Sequence, residues 1–315
     1  MKTRKLRLVS ALLALAMMLA LLPTAAFAED NHNCGATSAD NVTWKLENGT
    51  LTISGTGKMA DYGEDPETHT IYNPPWVGQK GNIKKLVVEG GVTSIGDNAF
   101  SGCANLESVD LSGASSLKII GNHAFNSCTA LESVDLSEAS SLTTIKTSFP
   151  GCTGLENVVL NEGLQTIGGS AFNHCESLKS IHIPSTVTEI GSWCFEDCKN
   201  LGEVTFAEGI NLGTIEGATF IRCKNLKKIT IPKSVKVIKM YVNSGSKYGA
   251  FSTCSGLESV IFEPGSELET VDEYAFANCW NLTIYCSDED TKVKEALKEK
   301  KVHRKDQALN ADGYV

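Results

Sequence analysis

The residues of this chain that could most readily carry chemistry are its eleven cysteines. Eight of them have a phenylalanine three positions before and a leucine three positions after: Cys103, Cys128, Cys152, Cys175, Cys198, Cys223, Cys254 and Cys279. Cysteines of exported proteins usually form disulfides, and clustered cysteines can bind metal. Here the regular spacing predicts a structural core column, because side chains at one slot of a repeat stack and point inward. Parallel side chains fit poorly the torsion of a disulfide, so we expect reduced, buried thiols.

Three cysteines lie outside this column. Cys194 occupies a slot that holds alanine in most rows, so we expect it in the core. Its spacing from Cys198 could suit a metal ion, but both positions belong to slots that elsewhere hold core residues. Cys34 and Cys286 fit no slot of the repeat, and we expect these two thiols to be the most reactive or to be bridged.

Other groups that could do chemistry are sparse. The six histidines stand at no spacing that suits two ligands of one metal ion, and no serine-nucleophile, zinc-peptidase or phosphate-loop motif occurs. Asp110 and Asp135 occupy the same outward slot of adjacent rows, which places their side chains roughly 5 Å apart. An open face neither buries nor crowds them, which favours two solvated acids over a catalytic or calcium pair. We therefore predict no catalytic, cofactor-binding or metal-binding residue, no cofactor and no enzymatic activity.

The spacing of the cysteines also predicts the fold. They recur at intervals of 23 to 25 residues, apart from one interval of 31. Such a period is typical of a solenoid, in which each unit buries its apolar face only against its neighbours. Within one unit, residues 106–111 alternate as a short strand, 117–120 form a second extended segment and 124–128 have helical or 3₁₀ spacing. We predict a β-rich α/β repeat solenoid.

The first 28 residues have the features of a signal peptide. Four basic residues precede an apolar run over 8–22, and Ala26-Phe27-Ala28 has the small-x-small pattern of a cleavage site. A membrane anchor is the alternative, but the run is shorter than a membrane span requires. We predict an exported protein that starts at Glu29 and keeps no integral membrane segment after cleavage.

The remaining boundaries follow from the repeat. Residues 29–82 are predicted to form an N-terminal β cap module, with a hairpin turn at Asn48-Gly49 and Trp76 in its core. Residues 83–282 form the solenoid of about eight repeats. Residues 283–315 form a C-terminal cap and tail, with a last strand, a helix over 291–301 and a mobile tail after Arg304.

Three stretches carry a resemblance to a known family: IGDNAFSGCANLESVDL, IGGSAFNHCESLKSIHIP and IGSWCFEDCKNLGEVTF. They resemble the BspA-like class of leucine-rich repeats, found in bacterial secreted and cell-surface proteins. The resemblance covers about 83–282. It implies a right-handed superhelix of leucine-rich repeats with an N-terminal β cap and a C-terminal strand-helix cap. For function it implies only adhesion or ligand binding of many kinds.

Charge limits the class of partner. The formal net charge is −9, and loss of the four basic residues Lys2, Arg4, Lys5 and Arg7 takes it to −13. No basic stripe offsets this charge, which excludes nucleic acid as a partner. We expect an extracellular protein or a glycan as partner, and a monomer.

Two surfaces are candidates for ligand binding. The outward side of the first strand of each row forms a mixed strip that is the usual ligand surface of leucine-rich repeats, although it could also be an unused solvent face. Its candidate residues are Asp110, Asp135, Val159, His182, Thr205 and Thr230. The second surface is an inserted loop within 239–249, which could equally be an ordinary tolerated insertion. Its candidate residues are Tyr241, Asn243, Lys247 and Tyr248.

These features predict a secreted or extracellular protein, which is either released or associated with the cell surface. Its predicted function is that of a non-enzymatic leucine-rich-repeat scaffold for protein–protein interaction or adhesion. The alternative is a glycan-binding module at the cell envelope, in which the tyrosines of the insert stack on sugar rings. The sequence names neither the ligand nor the means of retention at the envelope.

Overall fold

The computed structural model describes residues 32–38 and 40–298. The predicted signal peptide (1–28), the start at Glu29, the helical residues 299–301 and the tail after Arg304 lie outside the described residues. From Lys85 the chain coils in eight rows. Each row has a front strand, a back strand and a turn that contains the Phe-x-x-Cys segment, as the spacing of the cysteines predicts.

Within each sheet, the strands of successive rows pair in parallel, residue against equivalent residue. The front strands are β5 (Lys85–Val88), β7 (Ser108–Asp110), β9 (Ser133–Asp135), β11 (Asn157–Val159), β13 (Ser180–Ile183), β15 (Glu203–Phe206), β17 (Lys228–Ile231) and β21 (Ser259–Phe262), followed by β23 (Thr283–Tyr285). The back strands are β6 (Val92–Ile95), β8 (Ile119–Ile120), β10 (Thr144–Ile145), β12 (Thr166–Ile167), β14 (Glu189–Ile190), β16 (Thr214–Ile215), β18 (Val237–Ile238) and β22 (Thr270–Val271).

The N-terminal cap begins with an antiparallel hairpin of β1 (Asn41–Glu47) and β2 (Thr50–Lys58). Asn48 and Gly49 both have positive φ, as the two-residue turn that joins such strands requires. β2 pairs with β5 through its first half and with β6 through its end, so one strand starts both the front and the back sheet. A small hairpin of β3 (Gly63–Glu64) and β4 (Ile71–Tyr72) and a 3₁₀ helix (Val77–Asn82) complete the cap.

Aromatic rings fill the centre of the solenoid. The phenylalanine of each Phe-x-x-Cys segment stacks on that of the next row, with centroids 4.9–5.6 Å apart. Trp76 continues the stack at its N-terminal end, 5.4 Å from Phe100, and is fully buried. Its indole N–H donates to the carbonyl of Ala99, so the cap supplies both an apolar ring and a partner for a first-row carbonyl. The eight column cysteines are also fully buried.

The Phe-x-x-Cys turns are tighter than a helix. The cysteine N–H donates to the phenylalanine carbonyl three residues before it, for example from Cys103 to Phe100 at 3.0 Å, which fits the predicted 3₁₀ spacing. A regular helix is excluded because the residue before each cysteine has a left-handed backbone, with φ between 53° and 75°. Because of this left-handed residue, two N–H groups of each turn point toward carbonyls of the next row, that of the phenylalanine and that of the residue before the cysteine. We call this third row-to-row ladder the turn face.

The C-terminal cap consists of β23 and helix α1 (Thr291–Leu297). α1 buries Val293 and Leu297, as the sequence predicts. Asp290 precedes the helix, but its carboxylate accepts hydrogen bonds from the N–H groups of Gly265 and Ser287 instead of capping the first turn. Asp290 therefore ties the helix to the last row.

Candidate ligand-binding surfaces

The front strands present one regular outward surface, which we call the strand face. Val159 pairs with Asp135 in register, and His182 pairs with Thr205. The structure brings all six predicted residues into one strip. Asp135, Val159, His182 and Thr205 are exposed, whereas Asp110 and Thr230 are half-buried. With 49% of its surface exposed, Val159 is an apolar contact point in an otherwise polar strip.

Asp110 lies at the edge of an open depression of about 260 Å3, which Lys85, Ser112, Asp135 and Glu138 also line. The hydroxyl of Ser112 donates to the Asp110 carboxylate at 2.7 Å, and the Lys85 ammonium lies 3.1 Å away. Hydrogen bonds from Ser112, followed by the interaction with Lys85, lower the pKa of Asp110. Asp110 is therefore ionised at neutral pH and is unsuited to donate a proton as a general acid.

His182 and Thr205 are linked across two rows. Nδ1 of His182 and the hydroxyl of Thr205 lie 2.8 Å apart. Both groups keep further hydrogen-bonding capacity toward solvent, because the imidazole has a second ring nitrogen and the hydroxyl can both donate and accept. The strand face therefore offers a carboxylate, an apolar side chain, an imidazole and a hydroxyl on four successive rows.

The insert is a β-hairpin, so the prediction of a loop within 239–249 is wrong. β19 (Met240–Asn243) pairs antiparallel with β20 (Ser246–Gly249), and Tyr241 lies opposite Tyr248. The physical reason is the pair Ser244-Gly245, whose positive φ values of 48° and 82° form a tight hairpin turn. The candidate residue Asn243 lies beside this exposed turn.

The hairpin lies on the turn face rather than projecting freely. The ring of Trp193 contacts Tyr241 and Tyr248 edge-on, with centroids 5.5 and 4.8 Å apart. The Lys247 ammonium lies 5.1 Å from the ring centroid of Tyr274 and 3.7 Å from the Glu273 carboxylate. Three of the four residues predicted in the insert thus contact side chains outside the hairpin, whereas Asn243 accepts a hydrogen bond from Ser244 within it.

Trp193 is a member of this cluster that sequence reasoning missed. It stands two positions before the phenylalanine of its row, in a left-handed conformation with φ of 63° that a bulky side chain rarely adopts. The next row carries Gly217 and Ala218 beside it, and a Cβ at Gly217 would lie 2.0 Å from the Tyr241 nitrogen. The absence of side-chain bulk next to an outward tryptophan is the sequence signal for a docked insert.

A charged cluster also escaped the sequence analysis. His174, Glu196 and Asp197 lie close enough for their ligand atoms to meet around one metal ion. Arg222 donates to both carboxylates and already supplies their positive counter-charge. His174, Asp197 and Arg222 each stand immediately before a column cysteine in successive rows, so the stacking rule would have found them. We interpret this cluster as a row-to-row ion pair network.

The cysteine column has a bonding role besides its packing. In seven rows the thiol donates to the phenylalanine carbonyl of the preceding row, at 2.9–3.3 Å, as from Cys175 to Phe149. Burial raises the pKa of Cys103 to about 11, and it also raises the pKa of Cys198. Such thiols stay protonated and react slowly.

The expectation that Cys34 and Cys286 are reactive or bridged is wrong. Both are free and buried. Cys34 lies in the N-terminal cap, where its N–H donates to the Val42 carbonyl, and burial raises its pKa to about 12. Burial also raises the pKa of Cys286. The caps enclose these cysteines because both ends of a solenoid need apolar cover.

Comparisons with known proteins agree with the repeat. A family model described as "BspA type Leucine rich repeat region" matches residues 78–148, 139–248 and 247–296, in six copies. No curated protein matches the chain. Across the described residues, no helix is long and apolar enough to cross a membrane.

Solved structures of bacterial proteins are also similar. A leucine-rich repeat protein from Bacteroides ovatus is 22% identical, with a TM-score of 0.45 over 78% of this chain and 80% of that chain. One from Eubacterium ventriosum is 19% identical, with a TM-score of 0.42 over 82% and 85%. A leucine rich cell surface protein from Faecalibacterium prausnitzii is 19% identical, with a TM-score of 0.34 over 81% and 95%.

Proposed function

The chain belongs to the BspA type leucine-rich-repeat family, and from this premise we propose that it is an exported, non-enzymatic scaffold that binds another protein through its strand face. The repeat scaffold itself is consistent with a protein-binding role. Export and a place at the cell surface are supported by the N-terminal sequence pattern and by the family. The partner is an extracellular protein, bound in an adhesive contact.

One observation supports this proposal above the others, namely the regular exposure of the strand face. Exposed side chains of four chemical types stand on four successive rows, and parallel rows lie about 4.8 Å apart. Rigid, evenly spaced groups lose little conformational entropy on binding, which favours binding of a partner across an extended surface. The depression beside Asp135 is a concave site in the same strip. The exposed Val159 adds an apolar contact there.

The proposal predicts that charge reversal on the strand face abolishes capture of a partner. The test variant is Asp135→Lys with Thr205→Lys. Asp110 is left unchanged because it pairs with Lys85 within the fold. The matched control, Glu189→Lys with Thr166→Lys, makes the same change of charge on the back strands.

Residues 29–315 of each version serve as bait for extracellular matrix and envelope extracts, and captured proteins are identified by mass spectrometry. We expect a protein held by the unchanged chain and by the control to be reduced at least tenfold on the strand-face variant. Equal capture by all three baits would contradict a strand-face site.

The second candidate function is glycan binding at the cell envelope, which the aromatic cluster of the hairpin favours. Tyr241 keeps 38% of its surface exposed beside Trp193, and a sugar ring can stack on an exposed aromatic ring. On a glycan array, this function predicts saturable binding that Tyr241→Ala reduces at least tenfold and Tyr72→Ala leaves unchanged. Tyr72 is a suitable control because it is an exposed tyrosine of the N-terminal cap, in β4, far in sequence from the hairpin. An array without a saturable signal would count against this candidate.

A further inference from the structure

The two sheets of the solenoid are interrupted around the sixth row. One continuous sheet links the front strands from β5 to β15 and the back strands from β6 to β14. Two separate sheets follow, β17-β21-β23 at the front and β16-β18-β22 at the back. No backbone hydrogen bond joins β15 to β17 or β14 to β16, all four of which lie within the described part of the chain.

The turn face, in contrast, continues without interruption through the same rows. The N–H of Phe195 donates to the carbonyl of Thr219, and that of Phe220 to Ala250, both at 2.8 Å. The phenylalanine stack is also continuous there, with both ring separations at 5.3 Å. Row six is thus joined to both neighbours at the turn face. It lacks the back-sheet hydrogen bonds to row five and the front-sheet hydrogen bonds to row seven.

Several side-chain contacts bridge rows five to seven, among them His182 with Thr205 on the strand face and Lys239 with Glu216. Two more contacts lie on the turn face. Arg222 of row six donates to Asp197 and Glu196 of row five. Trp193 of row five contacts Tyr241 and Tyr248 of the hairpin, which belongs to row seven. We call these two contacts the brace.

We propose that row six is a hinge between two rigid segments of the solenoid, with the turn face as its pivot and the brace as the element that limits its motion. Hydrogen bonds between rows resist bending, so the solenoid should bend where the front and back junctions lack them. The front interruption falls between Thr205 and Thr230. Bending therefore changes the spacing of the strand face between these residues. This inference is independent of the proposed function, because it concerns the chain without any ligand.

Distances between pairs of spin labels test the hinge. The crossing pair is Glu132→Cys with Glu258→Cys, on rows three and eight. The control pair is Lys84→Cys with Gly202→Cys, on rows one and six of the continuous front sheet. All four positions are exposed, and each pair spans five rows, about 24 Å. The eleven native cysteines are buried, and the wild-type chain labelled in parallel gives their background.

The hinge predicts a distance distribution at least twofold wider for the crossing pair than for the control pair. Equal widths would overturn the hinge. Removal of both contacts of the brace by Trp193→Gly with Arg222→Asn, residues that suit the left-handed backbone at these two positions, should widen the distance distribution of the crossing pair further and leave that of the control pair unchanged. Tyr241→Ser with Tyr248→Ser removes the aromatic contact of the brace from the hairpin side, without any change in row five. If neither variant widens the distance distribution of the crossing pair, the brace does not limit the motion of the hinge.

Discussion

Replacement of Phe172 with alanine should lower the free energy of unfolding by about 3–5 kcal/mol, the range for a phenylalanine removed from a packed core. Phe172 is fully buried and stacks between Phe149 and Phe195, at 5.5 and 5.6 Å. The cavity cannot be refilled from outside, because in a solenoid each row contacts only its two neighbours. Both stacked contacts are lost, and each is worth about 0.5–1.5 kcal/mol beyond burial.

The measurement is urea unfolding under reducing conditions, with two comparison variants. Phe276→Ala, in the last row, should cost less, because Phe276 stacks on Phe251 alone among the described rings. Val159→Ala, on the exposed strand face, should change stability by no more than about 0.5 kcal/mol. If Phe172→Ala and Phe276→Ala lower the free energy of unfolding equally, the stacked contacts with neighbouring rows do not determine the stability of the core.

The protein should lose its fold steeply as the pH rises above about 9. Burial raises the pKa of the Cys103 thiol from an ordinary value of 9.0 to about 11, and that of the Cys34 thiol to about 12. A thiol with a raised folded pKa stabilises the fold fully below the unfolded pKa, and this contribution is lost as pH rises toward the folded pKa. Each thiol removes about 1.4 kcal/mol of stability per pH unit in that window. Several buried thiols together therefore exceed the stability of an ordinary domain within one or two pH units.

Circular dichroism and thiolate absorbance, followed together from pH 7 to 11 in the presence of a reductant, test this expectation. Loss of structure and ionisation of the thiols should coincide, because the buried thiols ionise only when the rows separate. The double variant Cys175→Ser, Cys198→Ser should lessen the dependence of stability on pH by about 2.8 kcal/mol per pH unit, since serine does not ionise there. Thiols that ionise while the fold persists would contradict the buried column.

The fold was predictable because one slot repeats so strictly. A phenylalanine, a cysteine and a leucine at fixed spacing predict stacked rows, and burial of Phe125, Cys128 and Leu131 fits that reading. The same rule gave the outward strip of the strand face. It was not applied to the position before each cysteine, so the contact between Asp197 and Arg222 was missed. That position varies in type, from glycine at Gly102 to arginine at Arg222, and variable positions show no periodic signal.

The position of the insert was missed for a different reason. Its contacts with Trp193 join residues about 50 positions apart, and they depend on which side of row six the hairpin covers. The interruptions of the two sheets are invisible in the sequence as well. The buried pattern continues through Val204, Ile215 and Ile229, so apolar periodicity alone predicts unbroken ladders.

The most direct test of the central claim, that the strand face binds a protein, is site-specific cross-linking. A photoreactive residue replaces Val159 on the strand face and, in a second version, Thr166 on the neighbouring back strand of the same row. Each version is irradiated with matrix and envelope extracts, and the cross-linked peptides are sequenced. A scaffold that acts through its strand face gives one recurrent partner from position 159 and none from position 166. Equal products from both positions, or products from position 166 alone, would contradict it.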